Sequence, residues 1–557
     1  MIRRRLLFLA PLLLLVVLGF SWWWNLPRLV DMAHYVPNDS LLYLECNSLT
    51  AVVDSLTATE AWKELGAAAG VKPFVRTDRW LARLAWLGVG PAESVLLARA
   101  QVAVVMLDLE TAEESTTLKI KPEGAVIIET HTSQWRGRPA VERLLSAFVE
   151  QIYGPVEPKR YREEADYLEW SSTTGDRRIV AALDQSLVIL GNSKLAVQQC
   201  LKTRKGQTTS LFSDPKLKLM RQQVQADEAL TFGYISSANA ARLFSWGTPL
   251  LFGRGPGNIN LEQIITKSAA RLFGAIGWTS QAASGAIEDR FFFSLEPEII
   301  ARLEPGFEVG RTDAGVLINL LPAEFEAVTV YRFKRPAVAW GALRGITYQL
   351  DTLSAAVFSS VLKAALVPYG IEEPERFLSA VGHQLATVKL HPSADGTILI
   401  AKILDRSALE AMFKLQPPSP ASMDTRSMVI GDKEFAFTFI DEHFLIGPPV
   451  DIGRWLEARK SGGVLKEATA HQFPADLVNS SPASIVTYAN DSERVHGFFS
   501  VIKGLRGKHP PGEKPSTDQR KEFFATTETN LSDRGIERRT RSALGQFSTL
   551  LSLLRRD

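Results

Sequence analysis

An apolar run from Leu6 to Trp24, LLFLAPLLLLVVLGFSWWW, carries no charge and directly follows Arg3, Arg4 and Arg5. At ~1.5 Å per residue a helix over this run reaches ~28 Å, close to the ~30 Å hydrocarbon core of a bilayer. The pattern predicts a transmembrane helix over 6–24, with 1–5 as its basic cytoplasmic flank, because cationic flanks stay on that side. Trp22, Trp23 and Trp24 suit the far interface, being apolar in the ring and polar at the indole N–H. The alternative is a cleaved export signal, for Gly19 and Ser21 are small residues spaced for a cut before Trp22. Either reading sends the remaining chain across the membrane. No later stretch is apolar for long enough to span a bilayer again.

Beyond the run the pattern changes to short alternating segments and amphipathic ones. Alternation predicts strands at Ser40–Glu45, Gln101–Asp108, Ala125–Thr130, Arg177–Ala182, Ser186–Leu190 and Ala229–Tyr234. Helical spacing predicts Ser48–Leu56, Thr77–Leu87, Pro139–Tyr153 and Lys194–Lys202. Short turns between strands imply antiparallel pairing. The expected fold class is therefore α+β: two duplicated domains of antiparallel sheets with helices packed on one face, behind one N-terminal transmembrane helix. A doubly wound parallel sheet is the second choice, since it needs a helix between nearly every strand pair.

The duplication is read by laying the chain against itself. Gly175-Asp176 falls on Gly431-Asp432, Asp184 on Asp441 and Gly191 on Gly447, each inside a strand–turn–strand–turn–strand block that runs into a helix. Tyr234 falls on Tyr488, Phe244 on Phe498, Gly285 on Gly535, Pro91 on Pro374 and Pro37 on Pro322, in the same order. The expected domains are 36–297 and 321–545, joined by 298–320, with 546–557 as a C-terminal helix end and tail. Two segments without apolar periodicity, Phe252–Asn258 and Arg506–Arg520, are expected to be loops.

Composition changes this picture little. A net charge of +2 gives no electrostatic case for nucleic acid. Cys46 and Cys200 are the only cysteines and fall in different apolar elements, so two separate core residues are favoured over a bridge. The eight histidines, at 34, 131, 383, 391, 443, 471, 496 and 509, show no metal-ligand spacing. His383 and His391 flank one predicted strand and would lie ~26 Å apart. Ser360 and Lys363 fit S-x-x-K, but the surrounding sequence reads as an amphipathic helix with Lys363 on its wet face. Glu163-Glu164 and Glu372-Glu373 sit among charged or turn-forming neighbours and read as solvated faces. Arg534, Arg538, Arg539 and Arg541 precede a tail, Ser542–Leu554, that reads as a packed terminal helix or as a helix lying on a membrane. No catalytic, cofactor or metal residues are assigned.

The anchor, the first strand VPNDSLLYLE (Val36–Glu45) and the block LVILGNSKLAVQQCL (Leu187–Leu201) together resemble bacterial exported proteins that carry a DUF3352 domain. The resemblance implies a single-span or signal-bearing protein with a large extracytoplasmic α+β body, and it brings no activity and no site residues. The expected function is a non-catalytic binding or scaffold protein of the bacterial envelope, held at the inner membrane. A carrier for lipids or other apolar envelope molecules and an enzyme with dispersed catalytic residues are the alternatives. The expected partners are the lipid bilayer, through the N-terminal helix, and an envelope protein or lipid ligand.

Overall fold

The computed structural model of the chain describes residues 28–67, 91–114, 117–172, 177–243, 272–310, 325–347, 366–391, 397–413, 425–430, 433–460, 481–505 and 522–552, with Leu320, Leu321 and scattered positions between 350 and 362. Among these residues no helix is long and apolar enough to cross a membrane. The Leu6–Trp24 run with its flanks, the Thr77–Leu87 helix, the Gly175-Asp176 and Gly431-Asp432 turns, Phe244, Pro322, Lys363 and the two expected loops lie outside the described residues.

The protein is α+β, and every described strand pairing is antiparallel. The chain divides into two compact units, 1–239 with 277–282 and 240–276 with 283–557. Residues 240–276 and 283–297, inside the expected 36–297, group with the second unit in this division.

Unit 1 contains β1 (Leu42–Cys46), β2 (Gln101–Glu114), β3 (Thr117–Glu129), β4 (Lys159–Arg162), β5 (Asp166–Ser171), β6 (Arg178–Asp184), β7 (Leu187–Gly191) and β8 (Thr231–Ile235). Hydrogen bonding orders them β4-β5-β6-β7-β3-β2-β1-β8. Leu230 N–H donates to Ser280 O at 2.8 Å, which sets residues 277–282 of β9 (Phe273–Ala283) beside β8. Gly233 on β8 makes room there, for a Cβ at that position would lie 2.0 Å from the Trp278 ring.

Unit 2 contains β10 (Ala286–Leu295), β11 (Ala327–Tyr331), β12 (Val381–Lys389), β13 (Thr397–Ile403), β14 (Thr425–Ile430), β15 (Lys433–Ile440), β16 (His443–Gly447), β17 (Ile485–Asn490), β18 (Phe524–Ser532) and β19 (Gly535–Ser542). Their order is β14-β15-β16-β13-β12-β11-β17-β18-β19-β10. The run β5-β6-β7-β3-β2-β1-β8 in unit 1 thus has the connectivity of β14-β15-β16-β13-β12-β11-β17 in unit 2.

Registers align the two runs residue by residue. Val180 faces Gly191 across β6–β7, and Ala436 faces Gly447 across β15–β16. Tyr43 faces Tyr234 across β1–β8, and Val328 faces Tyr488 across β11–β17. The turn residue at positive φ is Gln185 (58°) in one block and Asp441 (51°) in the other. Asp441 therefore matches Gln185, one position from the Asp184 that the sequence pairs with it. Likewise β10 starts at Ala286 and β19 at Gly535, so Gly285 belongs to its turn and Gly535 to its strand.

Helices cover both faces of the sheets, not one. In unit 2, helix Pro449–Lys460 packs Ile452 and Trp455 onto Val328, Val388, Ile398 and Ile400. Helices Pro336–Ile346, Pro374–Ala380 and Arg406–Met412 pack Trp340, Phe377 and Leu409 onto Leu399, Ala401, Phe437 and Phe444, on the opposite face. The reason is continuous burial along the central strands: Ile398, Leu399, Ile400 and Ala401 are all buried, as they must be when both faces are covered. In unit 1, helix Gln134–Tyr153 packs Ala140, Val141 and Val149 onto Leu168, Trp170 and Val188. Helix Lys194–Arg204 lies on β3, β6 and β7, with Val197 against Gly191 on the other side. The Gln134–Tyr153 helix starts ahead of the expected Pro139, which lies inside it.

Four phenylalanines close the core of unit 2. Phe413 stacks on Phe444 at 5.1 Å, and Phe377 meets Phe413 edge-on at 6.5 Å. Phe437 lies 5.9 Å from Phe444. Truncating Phe444 removes the ring that touches the other three. Phe444→Ala should lower the unfolding free energy of unit 2 by ~3–5 kcal/mol. Half-exposed Phe148, on the Gln134–Tyr153 helix, is the control, and Phe148→Ala should change it by less than ~0.5 kcal/mol. Denaturant melts of the full chain check this, and equal midpoints for the two variants would contradict the packing.

Candidate functional site

At one end of the unit 1 sheet β1 finishes, β2 begins and β3 finishes, with Gln101 directly opposite Glu129. Apolar neighbours along both strands carry these two polar side chains inside, and both are buried. Gln101 Nε2 donates to Val30 O (3.0 Å) and to Asn47 Oδ1 (2.7 Å). Its Oε1 accepts the Val30 N–H (2.8 Å) and the His131 Nε2–H (2.8 Å). Both donors and both lone pairs of the amide are thereby used. This network assigns the His131 proton to Nε2.

His131 sits at φ 48°, a backbone region that side chains with a Cβ rarely adopt. Its N–H donates to Glu129 Oε1 (3.2 Å), and the preceding Thr130 Oγ1 donates to Ser186 O (2.8 Å). Burial lowers the imidazole pKa, helped by the charge of Arg99 and opposed by Glu129. Tyr35 O–H donates to Glu129 Oε2 at 3.4 Å. Burial, reinforced by the Glu129 charge, pushes the phenol up to about 12. Around neutrality His131 is therefore uncharged and Tyr35 is a proton donor.

Tyr35 also faces an open cleft of about 770 Å³, whose walls include Val30, His34, Arg204 and the Gly206–Ser210 turn. Gly206 makes that turn at φ 71°, as the Lys194–Arg204 helix ends. The Thr203 and Thr208 hydroxyls meet at 2.7 Å on the wall. Arg204 is oriented by Asp184, through Oδ2 at 2.6 Å and the backbone O at 3.0 Å, and its guanidinium lies 6.0 Å from the Tyr35 ring centre. His34 stacks on Phe212 at 3.8 Å. The cleft thus offers hydroxyls, one cation and aromatic faces.

A second cluster lies behind it. Arg221 Nη2 donates to Asp31 Oδ1 (2.9 Å) and to Glu45 Oε1 (3.0 Å), and Tyr43 O–H donates to Glu45. Burial works to raise the Asp31 carboxyl, but Arg221 outweighs it and holds the pKa below the usual value. For Glu45 burial prevails over Arg221 and the pKa is raised. Tyr234 O–H donates to Asp214 at 2.8 Å.

The residues weighed from sequence are dispersed. Arg3, Arg4, Arg5, Trp22, Trp23 and Trp24 lie outside the described residues, as do His471 and His509. His391 is hydrogen-bonded to Asp451 (3.1 Å) and His443 to Gln384 (3.3 Å). Among the described residues no group of three or more His, Cys, Asp or Glu side chains is placed to hold a metal. Cys46 and Cys200 are both free, with thiol pKa values raised by burial, Cys200 to about 12. Ser360 Oγ donates to the Ala356 carbonyl (2.9 Å), one helical turn back. Glu163 pairs with Lys194, Glu164 with Lys205 and Glu373 with Arg376, while Glu372 is exposed. Arg538, Arg539 and Arg541 lie on β19, where Arg539 pairs with Glu537 and Arg541 donates to Ser284 O (2.8 Å). The terminal helix Gln546–Ser552 packs on helix Ser492–Leu505. Of this group only His131 is named from sequence, among the histidines weighed for a metal, while Gln101, Glu129, Tyr35 and Arg204 are missed. For Gln101 and Glu129 the one signal is a polar residue at the end of an apolar strand, as in QVAVV and VIIET.

One buried acid outside the cleft gives a pH signature. Asp491 precedes helix Ser492–Leu505, and its Oδ2 is buried without a hydrogen-bond partner. Burial pushes its carboxyl up to about 6, against the partial opposition of Arg494. A carboxyl whose folded pKa is raised favours folding below the unfolded pKa, and that contribution is lost as pH rises through the folded value. Relative to Asp491→Asn, the wild-type chain should lose up to ~3 kcal/mol of unit 2 stability between pH 4 and pH 6.5. Denaturant midpoints of both proteins across that range check it, and parallel pH profiles would contradict it.

Comparison of the chain with family models, with curated proteins and with solved structures gave no match.

Proposed function

We propose that the chain is a membrane-anchored protein of the bacterial envelope whose extracytoplasmic body binds a polar, hydroxyl-rich ligand without transforming it. The anchor is Leu6–Trp24, oriented by Arg3, Arg4 and Arg5 and bordered by Trp22, Trp23 and Trp24. The body is a duplicated α+β chain, a reading supported by the strand order that occurs twice. The resemblance to DUF3352-type exported proteins points to the same placement. The observation that carries the binding reading is the division of labour at the cleft. Gln101 commits all its hydrogen-bonding capacity to the protein, and Tyr35 and His131 are tied to Glu129, so these groups hold the floor in shape. The cleft wall itself is polar: Arg204, held in place by Asp184, the exposed Thr208 and Thr209 and the His34 ring line it, a lining suited to an envelope glycan rather than to an apolar lipid tail.

A catalytic reading has one observation in its favour, the convergence of Tyr35, Glu129 and His131. It requires the cluster to release a group from its present partner when substrate enters.

Two measurements test the proposal. A reporter enzyme active only after export, fused after Ser552, should be active, and protease added to spheroplasts should digest the body. An active cytoplasmic reporter at the same position would overturn the topology. Saturation-transfer NMR with soluble envelope glycan fragments should show binding that weakens at least tenfold in Arg204→Ala and stays unchanged in Arg178→Ala. Binding that ignores Arg204 would remove the cleft from the account, and turnover of a fragment that stops in Glu129→Gln would favour the catalytic reading.

A further inference from the structure

The body begins almost at once after the apolar run. Asn25, Leu26 and Pro27 alone separate Trp24 from Arg28, and four extended residues span at most ~14 Å. From there the chain is fastened tightly. Gln101 grips both the N–H and the C=O of Val30, and Arg221 grips Asp31. Met32, Ala33 and Val36 are fully buried, and Tyr35 reaches Glu129. No slack exists between residue 30 and the folded unit, so whatever surface surrounds this point is held close to the end of the run.

That surface carries large apolar side chains exposed to solvent. Leu29 is 67% exposed, Phe212 is 49% exposed against His34, and Leu219 is 57% exposed. Leu219 lies on helix Pro215–Gln223, whose inner face buries Leu217 and Met220. Its outer face sets Lys216 and Lys218 on either side of Leu219, and Arg28 adjoins Leu29. The helix and the Leu211–Ser213 turn pack together, and the turn packs on Met32–Tyr35, so the patch is one continuous part of unit 1. Of the acids close to the patch, Asp31 is bound to Arg221, and Asp214 caps the helix and accepts from Tyr234, while Asp227 and Glu228 are exposed in the turn beyond the helix's C-terminal end.

We propose that this patch docks on the anionic outer leaflet of the membrane that holds the anchor. It gives unit 1 a second, reversible contact made by Phe212 and Leu219 inserted among headgroups and by Arg28, Lys216 and Lys218 against lipid phosphates. The proposal rests on the anchor reading above, which brings a bilayer within reach, and adds which face of the body meets it. The cleft wall shares His34 with the patch, so docking would place the cleft mouth beside the headgroup layer.

Hydroxyl-radical footprinting of the full-length chain tests this. The protein is placed in nanodiscs of phosphatidylethanolamine and phosphatidylglycerol, and in neutral phosphatidylcholine discs for comparison. Oxidation of Phe212 and Leu219 should fall at least threefold in the anionic discs. Phe148, 53% exposed on the helix that covers the opposite face of the sheet, should be oxidised equally in both. Lys216→Glu with Lys218→Glu should restore oxidation of Phe212. Unprotected Phe212 and Leu219 in a chain that stays membrane-bound through alkaline carbonate would overturn docking alone. Extraction by carbonate would remove the anchor reading and the docking with it. Protection that follows protein concentration instead of lipid charge would assign the patch to a second copy of the chain and overturn the proposal.

Discussion

A buried amide has to find four partners, and at Gln101 it does. This requirement organises one end of unit 1. The side chain is wholly enclosed, so any donor or lone pair left over would cost roughly 1–3 kcal/mol. Satisfying it draws in the backbone of Val30, the loop at Asn47 and a histidine in an uncommon backbone conformation. Three segments distant in sequence are thereby fixed to the same point. The shape of the adjoining cleft and the rigidity of the first residues of the body both follow from that closure. The corresponding amide in unit 2 is Gln384, also buried, but its neighbour is His443, and among the described residues no segment like Val30 is gripped there. The shared strand order therefore supports different chemistry at the two sheet ends.

The second organising fact is that both faces of the central strands are covered. A sheet with one wet face shows strict alternation, whereas a doubly covered one shows unbroken apolar runs. ILIA in β13 and HFLIG in β16 are such runs, and each residue of β16 is buried. The aromatic cluster around Phe444 and the indole of Trp455, which donates to Leu320 O (2.8 Å), fill the two sides. Edge strands behave differently. β4, KRYR, is mostly exposed, and its charge blunts an edge that could otherwise pair with another chain.

Much of this was legible in the sequence. Strand positions were readable because alternation and turns coincide, and the β6–β7 and β15–β16 hairpins were recognised as counterparts. The match slipped by one at Asp441, since identity in letters outweighed the positive-φ requirement that in fact marks the turn at Gln185. Helices on a single face were inferred from hairpin connectivity, although the apolar runs in β13 and β16 already argued for two covered faces. The cleft was not legible. Tyr35, Gln101, Glu129 and Arg204 are separated by tens of residues: strand register alone brings Gln101 opposite Glu129, and helix packing brings the other two beside them. Proline favours the first turn of a helix, which sets the expected start at Pro139, whereas the helix begins directly after Ser133 and runs through the proline.

The pairing of β10 with β19 carries a consequence for how the chain reaches its native state. Arg290 faces Arg539, so this ladder joins segments ~250 residues apart, a closure that carries a large entropic cost and comes late. During synthesis β10 emerges well before its partner, with one row of amides and carbonyls open. A ribosome that stalls before β19, or a protease that trims the C-terminus, leaves that row uncapped. Among the described residues the last strand made, β19, therefore closes two open edges of the second unit at once, those of β10 and β18.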